Sequence, residues 1–226
     1  MNAERGALKA KLPSAASILV CFAVRDEAKH FRPPTGLDCK TILTGMGQRN
    51  AEQSVRRALE SFSPALLLTC GYAGGLNPEL KRGDVLFDAD AESHLAAGLI
   101  QLSVRPGTFH CAERIATTVA AKQALRLQTN ADAVEMESQA IRKLSRERGI
   151  PAATIRVISD DAGQALPLDF NQLAARNGNI SYVKLAAALM KSPELVPKLM
   201  RFRRELDECS RNLSKTLSGL LAQMPR

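Results

Sequence analysis

The chain has 226 residues, 45% of them hydrophobic, a net charge of +8 and five cysteines. That is enough for one large domain with a full core. The absence of Trp argues against stacking platforms for single-stranded nucleic acid. The cysteines are odd in number with no CxxC pair, and there are only three histidines, which argues against a disulfide framework or a zinc site and fits a reducing cytosol. The excess positive charge serves solubility or an anionic partner.

In chain order, residues 1–16 form a loose leader. Lys9 and Lys11 give the apolar run that follows the outline of a signal peptide. The run is short and β-rich, and it enters Arg25-Asp26-Glu27 with no small-residue cleavage site, so it reads as a strand over Ser17–Val24. It is also far below the ~20 apolar residues of a membrane span. Asp26–Phe31 starts a turn or helix that Pro33 and Pro34 stop. Lys40–Thr44 is a short strand, and Gly45-Met46-Gly47 opens a helix to Ser61 with Ala51, Val55, Ala58 and Leu59 as its apolar stripe. Ala65–Cys70 is a doubly buried strand, followed by a loop over Gly71-Tyr72-Ala73-Gly74-Gly75 and a strand at Val85–Phe87. Residues 88–112 carry little pattern. Thr117–Leu127 is helical, Val134–Met136 a strand, Ser138–Arg148 an amphipathic helix closed by Gly149, and Ala152–Ser159 the last core strand. Two further helices fall at Ser181–Met190 and Leu199–Leu221, with a turn at Asn177-Gly178. Alternating strands and helices predict an α/β fold with a largely parallel sheet. The implied organisation is the leader, an α/β domain over 17–190, and a basic amphipathic helical tail over 191–226.

The residues with chemical potential fall at strand ends, where α/β sheets bind ligands. Glu27 ends the first strand, Glu135 and Glu137 share one face of an extended segment, and Asp160 ends the last strand. Each alone is equally an exposed acid, an ion-paired strand residue or a turn cap. Gly45-Met46-Gly47-Gln48-Arg49-Asn50 is nearly GxGxxG, and both glycine loops follow a strand; each offers backbone N–H groups or is simply a tight turn. No GKS or GKT is present, which excludes a P-loop.

The ordered set resembles the nucleoside phosphorylase and nucleosidase family, which includes purine nucleoside phosphorylase and methylthioadenosine/S-adenosylhomocysteine nucleosidase. The resemblance runs from about Ile18 to Ala162. It is carried by Thr44-Gly45-Met46-Gly47, Gly71 to Leu76 with Lys81-Arg82-Gly83-Asp84-Val85 downstream, Val134-Glu135-Met136-Glu137, and Ile158-Ser159-Asp160. It implies a three-layer α/β/α sandwich with a mixed, largely parallel central sheet, and cleavage of the N-glycosidic bond of a purine nucleoside; no motif suggests a metal or organic cofactor. Glu27 matches the base that activates water, and Asp160, not Asp161, the acid that protonates purine N7. Glu137, with Met136, matches the ribose-holding segment. Gly45, Gly47, Tyr72, Ala73 and Gly74 match the nucleophile loops, and Ile115, Ala116, Glu135 and Ser159 the purine pocket. The chemistry is coherent: protonating N7 turns the purine into a neutral leaving group, typically worth ~10² to 10⁴-fold.

Two positions depart from the pattern. Thr69 stands where the purine phosphorylase branch has a phosphate-binding arginine, and Tyr72 replaces a small serine. The first favours water over phosphate as nucleophile, with Arg25 or Arg49 as substitutes; the second leaves room for a non-catalytic nucleoside- or lipid-binding protein. The long C-terminal third, with Ala165-Leu166-Pro167 and its basic helix, resembles the hopanoid-associated branch, which releases adenine from adenosylhopane. Leu199, Phe202, Leu206, Leu213, Leu217 and Leu220 form an apolar stripe among Arg and Lys residues. Such a helix suits an anionic membrane surface at the cytoplasmic face, the protein core, or the interface of a homo-oligomer. Nucleic acid is not expected as a partner.

Overall fold

The computed structural model of the protein describes residues 17–173 and 182–224. The expected leader and the Asn177-Gly178 turn lie outside the described residues. The central element is strand β3 (Leu66–Gly75), flanked by β1 (Ile18–Phe22) and β8 (Ala152–Asp160). β1 and β8 are buried along their whole length, as continuous apolar runs predict for strands covered on both faces. β2 (Cys39–Leu43) lies outside β1, and β4 (Val85–Ala89) and β5 (Arg105–Pro106) outside β8, giving the order β2-β1-β3-β8-β4-β5. β6 (Phe109–Cys111) and β7 (Ala133–Glu135) branch from the end of β3. Only β4–β8 and β3–β7 pair antiparallel, so the sheet is mixed and largely parallel.

Side chains alternate between the two faces of the sheet with period two. Leu19, Cys21 and Leu67 face helices α2 (Gln48–Ser61) and α5 (Ser138–Glu147), meeting Val55, Leu59, Ile141 and Leu144. Ile18, Val20, Phe22, Leu66 and Leu68 face the opposite layer. That layer holds α3 (Ala96–Gln101) and α8 (Leu195–Ala222). α1 (Arg25–Ala28), α4 (Val119–Thr129), α6 (Phe170–Leu173) and α7 (Tyr182–Lys191) complete the described helices. α4 begins where Thr118 Oγ1 accepts the Ala121 amide at 3.1 Å, a side-chain N-cap.

Two differences from the sequence reading bear on function. Residues 71–75, expected as a loop, continue β3: they pair with Arg156–Asp160 of β8 and Ala133–Val134 of β7. Glycine-rich segments read as loops, yet here neighbouring strands on both sides supply backbone partners, and Gly side chains leave room for close approach. The register shifts between Ala73 and Gly74, a bulge that sets Gly74 opposite Asp160. Second, the 191–226 helix was set apart from the 17–190 domain, but Cys209, Leu213, Leu217, Leu220 and Leu221 of α8 join the main core beside Phe22, Leu68 and Val157. Each fully buried leucine contributes roughly 1.5–3 kcal/mol of transfer free energy.

Candidate active site

The C-terminal ends of β1, β3 and β8 open into one cavity of about 510 Å³. Glu27, Met46, Gly47, Tyr72, Ala73, Gly74, Ile115, Ala116, Glu135, Met136, Glu137, Ser159 and Asp160 all line it, so the sequence-expected residues converge with one exception. Gly45 does not line the cavity. Its N–H is spent on Ala23 O at 3.0 Å, and its φ of +81° serves the turn. Arg25 and Arg49, named as phosphate substitutes, are both exposed and outside the cavity lining.

Glu27 is held by the backbone. Its Oε2 accepts from the Ala23 and Val24 amides at 2.7 and 3.1 Å, and its Oε1 from the Tyr72 amide at 2.9 Å. Burial raises its pKa, opposed by the nearby Arg156 and by these amides. A carboxyl group fixed in this way, its proton affinity raised by burial, is suited to taking a proton.

Glu135 has a different task from the one expected. Its carboxylate accepts from the Glu137 amide at 2.9 Å, the Ser138 amide at 2.8 Å and Ser138 Oγ at 2.7 Å, and meets Arg156 Nη2 at 2.5 Å. With burial opposing them, Arg156 and these donors hold its pKa below the ordinary value. Much of its acceptor capacity is used inside the protein, so it braces the segment at the cavity wall. The Glu137 amide is taken up by the same carboxylate.

Glu137 Oε1 accepts the Gly47 amide at 2.8 Å, which ties the first glycine loop to the segment that follows β7. Its Oε2 lies 3.5 Å from Arg156 Nη2. Burial raises its pKa to about 7, with Arg156 opposing and the Glu135 and Glu27 charges adding to the rise. Thus the Gly47 N–H, one of the backbone groups the first glycine loop offers, meets a protein carboxylate.

Arg156 was not singled out from the sequence, although a charged residue amid Ala152–Ile158 is the signal that could have found it. It is 1% exposed, and Nη2 also donates to Thr69 Oγ1 at 3.2 Å. Threonine at position 69 therefore accepts from an arginine arriving from the neighbouring strand. Burial disfavours its charge, but Glu135, Glu137 and Glu27 outweigh that and raise its pKa.

Tyr72 lines the cavity. Its hydroxyl shares its proton between Leu206 O at 3.1 Å and Asp26 O at 3.2 Å, so the ring bridges α1 and α8 along the cavity wall. Phe170, Phe202 and Leu206 extend the wall as an apolar end, with the two phenylalanine rings 6.0 Å apart. These three and Asn171, which exchanges hydrogen bonds with the Ile115 backbone at 2.9 Å, were not expected from the sequence.

Asp160 Oδ1 accepts from Ser159 Oγ at 2.5 Å, and Oδ2 pairs with Lys122 Nζ from α4. Lys122, 0% exposed, gave no sequence signal because it sits on a helix that otherwise reads as solvated. Among the described residues, no group of three or more His, Cys, Asp or Glu is arranged to hold a metal ion.

The Phosphorylase superfamily profile matches residues 38–91 and 86–189, and the chain belongs to that superfamily. It is similar to the 5'-methylthioadenosine/S-adenosylhomocysteine nucleosidase of Marinomonas sp., 27% identical over 184 residues covering 64% of this chain and 79% of that protein. It is likewise similar to the aminodeoxyfutalosine nucleosidase of Campylobacter jejuni, 27% identical over 168 residues, 60% of this chain and 73% of the relative. Futalosine hydrolase of Helicobacter pylori shares the fold at a TM-score of 0.67 and 16% identity, over 93% of this chain and 99% of that one.

Proposed function

We propose that this protein is a purine nucleosidase that hydrolyses the N-glycosidic bond of a 5′-modified adenosine. The observation that carries this is the meeting of Glu27, Glu137 and Asp160 around one cavity, in a chain whose relatives are named nucleosidases. Asp160 faces the purine and supplies N7 with a proton as the C1′–N9 bond breaks. Glu137 accepts the ribose hydroxyls, and Glu27 takes a proton from water as its oxygen attacks C1′. The carboxylates favour the positive charge that develops on the sugar. Water suits the site better than phosphate: one guanidinium already faces three glutamates, so an added anion would meet repulsion.

The 5′ substituent we propose is a hopane chain, with adenosylhopane as the substrate. The apolar end formed by Phe170, Phe202 and Leu206 supports this reading. So does the exposed junction of α7 and α8, where Met190, Val196 and Met200 stand exposed among Lys191, Lys198 and Arg201. No described helix is long and apolar enough to cross a membrane; in this reading the junction rests on the inner face of an anionic bilayer, and a second copy joins the protein as a homo-oligomer. Adenine release is measured from adenosylhopane, methylthioadenosine and adenosine, with and without phosphate. Phosphate-independent release from the lipid nucleoside is expected. Release from methylthioadenosine alone would remove the hopane reading, and dependence on phosphate would make the enzyme a phosphorylase. Asp160→Asn is expected to lower release by ~10² to 10⁴-fold; unchanged release in that variant would remove Asp160 from the mechanism.

A further inference from the structure

The role of Lys122 is not explained by the reading above, on which this inference rests. Its ammonium has three N–H bonds and three close acceptors: Asp160 Oδ2, Asp161 O at 2.7 Å and Gln164 O at 2.9 Å. The side chain is therefore fully committed at the end of β8. Gly74 packs beside the pair: a Cβ there would lie 3.4 Å from Asp160 Oδ2 and 3.8 Å from Lys122 Cε, ordinary contact distances. An ion pair this deep is costly to desolvate, and replacing such pairs by apolar residues is often neutral or stabilising. Stability alone is thus a weak reason for a lysine here.

We propose that Lys122 is the source of the proton that Asp160 delivers to the purine. With Lys122 as its ion-pair partner, Asp160 stands as a carboxylate, so a proton must reach it before it can act as an acid. An N–H bond of Lys122 breaks as an O–H bond forms at Oδ2. That O–H bond then breaks as N7–H forms, while the C1′–N9 electron pair moves into the purine. Lys122 is left neutral, and Glu27 holds the proton lost by the attacking water, so the cycle closes when solvent returns one proton and removes the other. Lys122 never touches the nucleoside; it is a positioning residue acting through Asp160. Other titratable groups facing the pair are Cys209 on α8, which feels the Asp160 charge, and Asp161 beside it. Arg82 donates to Gln164 Oε1 at 3.0 Å, and Glu113, Arg114, Glu135 and Glu137 line the same cavity.

The test is the pH profile of kcat for Lys122→Met, with folding checked by melting temperature and adenine binding. If the pair is the donor, the wild-type rate persists until the lysine gives up its proton, and in the variant a lone carboxylic acid gives it up far earlier. The alkaline limb then moves to lower pH, kcat at the wild-type optimum falls about 10²-fold, and KM changes little. If Asp160 carries its own proton, removing the neighbouring cation strengthens its hold and the limb moves to higher pH, which overturns the proposal. A uniform loss with no movement of the limb also overturns it. Should Lys122→Met not fold, infrared difference spectra of wild type against Asp160→Asn at neutral pH decide: a protonated-carboxyl band lost in the variant overturns the proposal, and its absence supports it. If wild type releases no adenine from any nucleoside, the nucleosidase reading fails, and the infrared result still reports on the pair.

Discussion

Glu137 pits function against stability within one side chain. Its carboxyl keeps its proton to about pH 7 in the folded protein against an ordinary value of 4.5. The folded state therefore binds more protons than the unfolded state between those values, and the stability this confers is complete below about pH 4.5 and lost as pH rises through 7. Glu137→Gln is expected to raise stability at pH 8 by an amount on the order of 1–3 kcal/mol, with no gain at pH 4, measured by urea unfolding at both pH values. Nucleoside binding should follow the opposite trend, weakening below pH 7 as the carboxylate loses acceptor capacity. Arg156 is the counterweight: Arg156→Met leaves three buried carboxylates without their cation and should cost ~3–5 kcal/mol in the same measurement at pH 8. At this scale legibility in the sequence was uneven. Carboxylates at strand ends stand out, because each follows an apolar run. Both Glu135 and Glu137 line the cavity, but that Glu135 would be tied up by the Ser138 and Glu137 amides was not readable, since those bonds depend on the turn after β7. Lys122 was hidden because the helical period of α4 says nothing of the strand end its ammonium reaches.

β3 shows how an element sets the distances within the site. At Gly71 the backbone passes so close to the site that a Cβ would lie 2.7 Å from Glu27 Cδ and closer still to the Arg156 guanidinium. Gly71→Ala is expected to displace both groups and lower kcat along with the melting temperature. An alanine variant with wild-type kinetics would show that the strand can move without disturbing the base. The sequence marked this segment as a glycine-rich loop because local composition carries no information about neighbours. Only pairing with β7 and β8, more than 50 residues away in sequence, makes it a strand. Long, strongly patterned elements such as α2 and α5 were legible to within a residue or two, because a single covered face dictates their period. The short β5 and β6, two and three residues long, have too few positions to show a period at all.

At the scale of the molecule, α8 belongs to both core and site. Its C-terminal half is buried on the sheet through Leu213 and Leu217, each 0% exposed, while Leu206 and Phe202 line the cavity. Leu217→Ala should therefore cost ~2–5 kcal/mol by chemical denaturation. The apolar stripe was plain in the sequence, but a stripe looks the same whether it meets a core, a bilayer or a second subunit, so its destination was not. The helix also contacts the segment that carries Glu27: Ser210 Oγ donates to Glu27 O at 3.2 Å, and the Tyr72 hydroxyl reaches Leu206 O. Glu27 and Ser210 are 183 positions apart. During translation, Glu27 leaves the ribosome early and waits for almost the whole chain before its partner emerges. At synthesis rates of roughly 5–20 residues per second, that interval is about 10 to 40 seconds. A ribosome that stalls before α8 thus releases a product whose sheet strands are all present but whose nucleoside pocket lacks a wall.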